Sequence, residues 1–244
     1  MLSIRKVTSF FGVFLLLLIL WSCQGSMNDV LNQVTKELQS QQGLSTSDIT
    51  AGLKEALKIG TDNTVNFTSK LNGYYKNPKI KIPLPEEVEK YEEILRMAGL
   101  GKQIDGFEKS MNRAAERAAP EAKALFFSAI RQMTFSDAKK ILNGRENEAT
   151  LYFKRKTYDP LANRFKPLVH SAMAEVGVTR SYQKIENKIN ALPVGGLYNF
   201  NLDDYVTDKA LDGLFYVLAQ EEAKIRRDPA ARVTEILRKV FGSK

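Results

Sequence analysis

From Ser45 onward, apolar residues recur at intervals of three and four, the period of helices with one buried face. In "STSDITAGLKEALKIG", Ile49, Leu53 and Leu57 fall on one side, after serine and aspartate residues suited to a helix start. Residues 102–118 place Ile104, Phe107, Met111, Ala115 and Ala118 on one stripe. Pro120 starts another helix, with Leu125, Phe126, Ala129, Ile130 and Met133 facing inward. Thr134 caps a short helix through Ile141 and Leu142 that ends at Asn143-Gly144. Helices over about 146–158, 161–176 and 179–190 follow, then a loop at "LPVGGLYNFN". The last helices, about 204–227 and 229–241, meet at Asp228-Pro229, and the first buries Leu211, Leu214, Phe215, Leu218 and Ile225.

One stretch breaks the helical rhythm. In "NPKIKIPLP", residues 77–85, Ile80, Ile82 and Leu84 fall at alternate positions, with lysines on either side of the first, while three prolines forbid a central strand. This reads as an extended strap that lays its apolar side on the body. Pro85 then opens a helix rich in early glutamates, which ends at "AGLGK" with Gly99 as its C-terminal cap. No succession of strands and no internal repeat interrupts the pattern. The expected fold is all-α, a single multi-helix orthogonal bundle domain with an extended proline-containing strap.

The N-terminus follows another logic. Arg5 and Lys6 precede an apolar run from Phe10 to Trp21 that is shorter than the ~20 residues a membrane-spanning helix needs. The tetrad Leu20-Trp21-Ser22-Cys23 resembles the bacterial lipobox, with Trp21 an unusual occupant of its second position. The resemblance implies that residues 1–22 are a lipoprotein signal peptide and that Cys23, the sole cysteine, takes a thioether-linked diacylglycerol and acyl chains such as palmitate. An unpaired cysteine in an exported chain otherwise lacks an explanation. Residues 23–44, with "QSQQG", read as a flexible Gln/Ser-rich tether, and residues 45–244 as the helical domain. Gln24, in place of aspartate, favours the outer membrane by resemblance to sorting patterns. Without an acidic cluster after Cys23, the expected location is the periplasmic face of that membrane.

Composition adds limits. The formal charge of +8 becomes +6 once Arg5 and Lys6 are removed, a surplus that suits solubility or anionic envelope surfaces. One histidine, His170, and a cysteine committed to lipid leave no usual zinc site. There is no phosphate loop, dinucleotide fingerprint or G-x-S-x-G element. The expectation is no metal, no cofactor and, after export, no nucleic acid partner.

Candidate chemistry concentrates in two stretches. In "NLDDYVTDKALDGLFYVLAQEEAKIRRDP", Glu222 falls near the middle of the apolar face, so its carboxylate must find a partner; Arg113, Arg155 and Arg226 are the options. The structural alternative is an ion pair and the functional one a catalytic acid. Asp204, Asp208 and Asp212 recur along one face but lack the glycine and ligand order of a calcium loop. In "SMNRAAERAAPEAKALF", Asn112 and Glu116 lie beside the apolar stripe and Arg113 opposite it. Asn112, Arg113, Glu116, Asp204, Tyr205 and Asp212 form a candidate polar groove.

Several blocks, among them "NPKIKIPLP", "ATLYFKRKT" and the long stretches around Asn112 and Glu222, resemble the bacterial domain of unknown function 4197 family, from about Thr46 to Gly242. The resemblance implies an exported helical protein and brings no catalytic residues with it. The functional expectation is a lipid-anchored, periplasm-facing envelope protein that binds an envelope protein or small ligand, more a binding module than an enzyme. The alternatives are a carboxylate-dependent hydrolase using Glu222 and a purely architectural envelope protein.

Overall fold

A computed structural model describes residues 45–175, 178–192 and 200–227. Among them the regular elements are all helical: α1 (Thr46–Ser69), α2 (Glu86–Glu89), α3 (Glu92–Met97), α4 (Gly101–Ala118), α5 (Ala122–Gln132), α6 (Phe135–Asn143), α7 (Glu148–Glu175), α8 (Val178–Asn190) and α9 (Leu202–Arg227). A 3-10 turn, Ala119–Glu121, joins α4 to α5. The all-α expectation holds. Residues 193–199 of the expected 192–201 loop, and the whole expected 229–241 helix, lie outside the described residues.

The inward stripes of α4 and α9 are those the periodicity marks, while Ile49 of α1 and Leu125 of α5, also expected inside, are only partly buried. Ile104, Phe107, Met111, Ala115 and Ala118 of α4 are buried, as are Leu211, Leu214, Phe215, Leu218 and Ile225 of α9. α9 packs on both α1 and α7, and α7 packs on α4. Phe126 sits at the centre, its ring 5.0 Å from Phe153 of α7 and 5.8 Å from Phe215 of α9. Such tilted aromatic pairs add about 0.5–1.5 kcal/mol each beyond the area they bury.

Two helices differ from expectation. The expected break between about residues 158 and 161 is absent, and α7 runs for 28 residues through both Pro160 and Pro167. An interior proline costs a helix about 3 kcal/mol. Against that, α7 buries Phe153, Leu161, Phe165, Val169 and Met173, each stabilising by roughly 1.5–3 kcal/mol. Burial wins. The glutamate-rich helix, in contrast, divides into α2 and α3 at Lys90-Tyr91. α3 ends as expected: Gly99 takes φ +82°, and the amides of Gly99 and Leu100 reach back to the carbonyls of Arg96 and Leu95. That is the Schellman closure, which needs a left-handed residue.

α6 starts at a full capping box. The Thr134 hydroxyl accepts from the Asp137 amide at 3.1 Å, and the Asp137 carboxylate accepts from the Thr134 amide at 3.0 Å. The strap is half as expected. Ile80, Ile82 and Leu84 are all buried, but the Asn77 carbonyl accepts from Ile80 and Lys81, so the first residues turn and only 81–85 run extended. Pro78 follows Asn77, whose side chain bonds the Lys79 amide at 3.0 Å, and this local bond stabilises the turn.

Candidate functional site

The strap carries main-chain groups into the interior, and α4 satisfies them. Asn112 Oδ1 accepts from the Ile82 amide and its Nδ2 donates to the Ile82 carbonyl, both at 2.8 Å. The carboxamide thus pairs with one strap residue as a neighbouring strand would. One turn further along α4, Glu116 Oε1 accepts from the amides of Tyr74 at 3.1 Å and Tyr75 at 3.2 Å. Arg113 bonds the other oxygen of Glu116 and also donates to Asn72 Oδ1 at 2.7 Å. Asn72 is left-handed at φ +69°, a conformation asparagine tolerates better than most residues. Three residues of the expected groove therefore do meet, but around the chain's own strap.

The other three members lie on α9. Tyr205 donates to the Pro83 carbonyl at 3.1 Å and so joins the strap clamp. Burial, followed by repulsion from Glu87 and Glu89, pushes its phenol up to about 12. Asp204 and Asp212 instead face α7. Asp204 pairs with Lys166 at 2.5 Å, Asp208 accepts from Tyr158 at 3.1 Å, and Asp212 approaches Lys154 at 3.8 Å. Asp203 meets His170 at 2.9 Å. As numbers rise along α9 they fall along α7, the register of two antiparallel helices. The aspartate line is an interhelical ladder, and the six candidate residues do not form one groove.

Glu222 has the most complete environment. Oε1 accepts from the Ala149 amide and from Arg226 Nε, both at 3.0 Å. Oε2 accepts from the amide and the hydroxyl of Thr150, both at 2.9 Å. Those amides belong to the first turn of α7, whose N–H groups have no helical partner and carry the positive end of the helix dipole. Arg226 also donates to the Ile141 carbonyl at 2.8 Å, in the last turn of α6. Of the arginines the sequence offered, Arg226 is the partner. One ion pair stitches α6, α7 and α9 together. Beside it Glu221 accepts from Asn63 Nδ2 at 2.9 Å, which ties in α1. The space next to Glu222, bounded by Leu53, Leu57 and Phe153, amounts to about 20 Å³, room for a single water.

A larger opening lies elsewhere. Between α5, α6 and α7 a cleft of about 360 Å³ is lined by Leu125, Ser128, Gln132, Thr134, Asp137, Tyr152, Lys156 and Pro160. Bonds from the Thr134 amide and hydroxyl hold the Asp137 carboxyl below its ordinary range, so it is charged at neutral pH. Sequence reasoning marked Thr134 as a cap and passed over the rest. The lining comes from three separate helices, so no local sequence signal marked it.

Among the described residues no cluster of three or more His, Cys, Asp or Glu side chains is arranged to hold a metal ion. Among the same residues, no helix is long and apolar enough to cross a membrane. Cys23 and the leader lie outside the described residues.

Fold and site together define an all-α protein whose internal strap is held by α4 side chains and whose buried carboxylates cap main-chain amides. The chain belongs to the DUF4197 family of proteins of unknown function, which it matches over residues 43–242. No curated protein and no solved structure matches it.

Proposed function

We propose that this chain is a lipid-anchored, periplasm-facing binding module of the bacterial envelope, attached through acylated Cys23 and extended from the outer membrane by residues 23–44. The leader pattern from Arg5 to Cys23 supports the anchor. Two or three acyl chains, at about 0.8 kcal/mol per buried methylene, hold a protein to a bilayer durably.

One observation favours binding over hydrolysis. Both oxygens of Glu222 are already occupied, each accepting from two donors. A carboxylate so engaged has no ready lone pair for a substrate proton, and general acid–base work needs one within reach. Glu116 is committed in the same way to Tyr74, Tyr75 and Arg113. The open space lies at the α5–α6–α7 cleft, away from both.

Mass spectrometry of protein extracted from membranes tests the anchor: residues 1–22 absent and Cys23 acylated is the expected result. Because Trp21 is the sole tryptophan, the processed protein also lacks indole fluorescence. Photo-cross-linking from positions around the cleft in intact cells tests the module, and a specific adduct is expected. An intact leader or an unmodified Cys23 refutes the anchor. A hydrolytic activity lost in a well-folded Glu222→Gln protein refutes the binding reading.

A further inference from the structure

We propose that the cleft between α5, α6 and α7 binds a neutral saccharide, a monosaccharide or one disaccharide unit, through a ring of paired donors and acceptors. This deepens the binding-module reading and rests on it. The volume of about 360 Å³ falls at the small end of the roughly 300–1,000 Å³ typical of ligand pockets.

The lining offers both hydrogen-bonding polarities on an apolar base. Tyr152, buried and donating to the Ala129 carbonyl at 3.3 Å, forms the floor, and Leu125 and Pro160 supply apolar wall. Among acceptors, the capping bonds from the Thr134 amide and hydroxyl both fall on Asp137 Oδ2, which leaves Oδ1 for a guest. A second acceptor comes from the backbone. Pro160 has no N–H, so the Lys156 carbonyl lacks its i+4 helical donor, as the Asn163 carbonyl does before Pro167, outside the cleft. Lys156, Thr157 and Pro160 all line the cleft, so the turn with the missing bond forms part of its wall. Among donors are the Lys156 ammonium and the Ser128 hydroxyl, which accepts from Gln132 Nε2 at 3.2 Å and retains its own proton.

This mixture selects by chemistry. An anion meets the charged Asp137, and a cation meets Lys156. An apolar guest strands the polar half of the lining without partners, which is costly. A sugar hydroxyl both donates and accepts at one atom, so adjacent hydroxyls satisfy the opposite polarities side by side, while the C–H face of the ring covers Leu125 and Pro160. A free sugar and a sugar unit within a glycan polymer share this chemistry.

The test uses the full-length chain in detergent micelles, with glucose, N-acetylglucosamine, maltose and chitobiose as soluble probes and a cell-wall glycan suspension as the polymer. Calorimetry and saturation-transfer NMR read binding, with inorganic phosphate as the anionic control. At least one neutral sugar or the glycan is expected to bind saturably, phosphate is not, and soluble sugar against glycan identifies the source. Lys156→Met and Pro160→Ala are each expected to weaken binding up to about tenfold, the scale of one lost hydrogen bond. Pro160→Ala restores the helix bond and so raises the melting temperature while it lowers affinity. A general folding defect would move both the same way.

Binding unchanged in the Lys156→Met, Pro160→Ala double variant overturns the proposal, as does phosphate that competes with the sugar. If no saccharide binds while cross-linking in cells still captures a partner, the saccharide is refuted and the binding module stands. If both fail, both readings fall.

Discussion

Tyr74 lies directly beneath Gly213: a Cβ at position 213 would sit 2.6 Å from Tyr74 Cε1 and 3.1 Å from the Cβ of Ile80. The Tyr74 ring is fully buried, and its hydroxyl donates to the Ala210 carbonyl at 2.7 Å. Mid-helix glycine is normally a weakness, yet here it makes the socket through which the strap enters under α9. Burial, with Glu116 adding, pushes the Tyr74 phenol far above its ordinary range, so it stays a neutral donor.

Gly213→Ala therefore destabilises the fold although alanine is the better helix former. Overpacking costs about 1–3 kcal/mol, and helix propensity returns at most about 1 kcal/mol. A net loss of about 1–2 kcal/mol in chemical denaturation is expected. A gain in stability would mean that Tyr74 is not seated where described.

Asn112 carries the middle of the strap. Asn112→Ala removes the bonds to both main-chain groups of Ile82 and leaves them buried without partners. Unsatisfied buried groups cost roughly 1–3 kcal/mol each, and relaxation of the strap recovers part of that. The expected loss is about 2–4 kcal/mol, with exchange at the Ile82 amide accelerated by more than exchange in α9. Uniform acceleration across all helices would refute a local clamp.

Glu222→Gln keeps the shape and removes the charge. The amide nitrogen cannot accept from the α7 amides, and Arg226, itself largely buried, loses its counter-ion. Removing one partner of a buried pair costs about 3–5 kcal/mol. Retained packing and the surviving amide oxygen place the expected loss at the lower end, about 3 kcal/mol. Denaturant unfolding checks this, and a fully stable variant would contradict the capping role.

These relationships separate what local periodicity encodes from what it does not. The buried faces of α4 and α9 were legible because helical spacing alone decides them, and that spacing placed Glu222 among apolar neighbours. Its partner was not legible. Arg226 qualifies because the ends of α6 and α7 converge on it, a fact of tertiary assembly. Asn112 and Glu116 stood out as polar positions beside an apolar stripe, but their partners Ile82 and Tyr74 lie 30 and 42 residues away. At Pro160 the local rule for helix breaking was outweighed by the side chains α7 buries on either side. The α5–α6–α7 cleft draws its lining from three separate helices, so no single window of sequence displays it.

The tyrosines provide a test at high pH. Tyr158, Tyr182 and Tyr205 are each pushed up to about 12 from the ordinary 10.0, in every case mainly by burial. For Tyr158 the bond to Asp208 adds to the shift, and for Tyr182 and Tyr205 repulsion from nearby glutamates does. An unfolded chain releases these protons near 10, while the folded chain holds them, so the native state binds more protons between the two values. Stability is then fully present below about pH 10 and falls as pH rises toward 12. Tyr205 and Tyr158 also donate to the Pro83 carbonyl and to Asp208, so deprotonation removes a strap contact and a rung of the α7–α9 ladder. Spectrophotometric titration of the folded protein is expected to leave part of the phenolate signal undeveloped at about pH 11, completing only as helicity is lost. Full ionisation near pH 10 with helicity intact would show that these phenols are not buried as described.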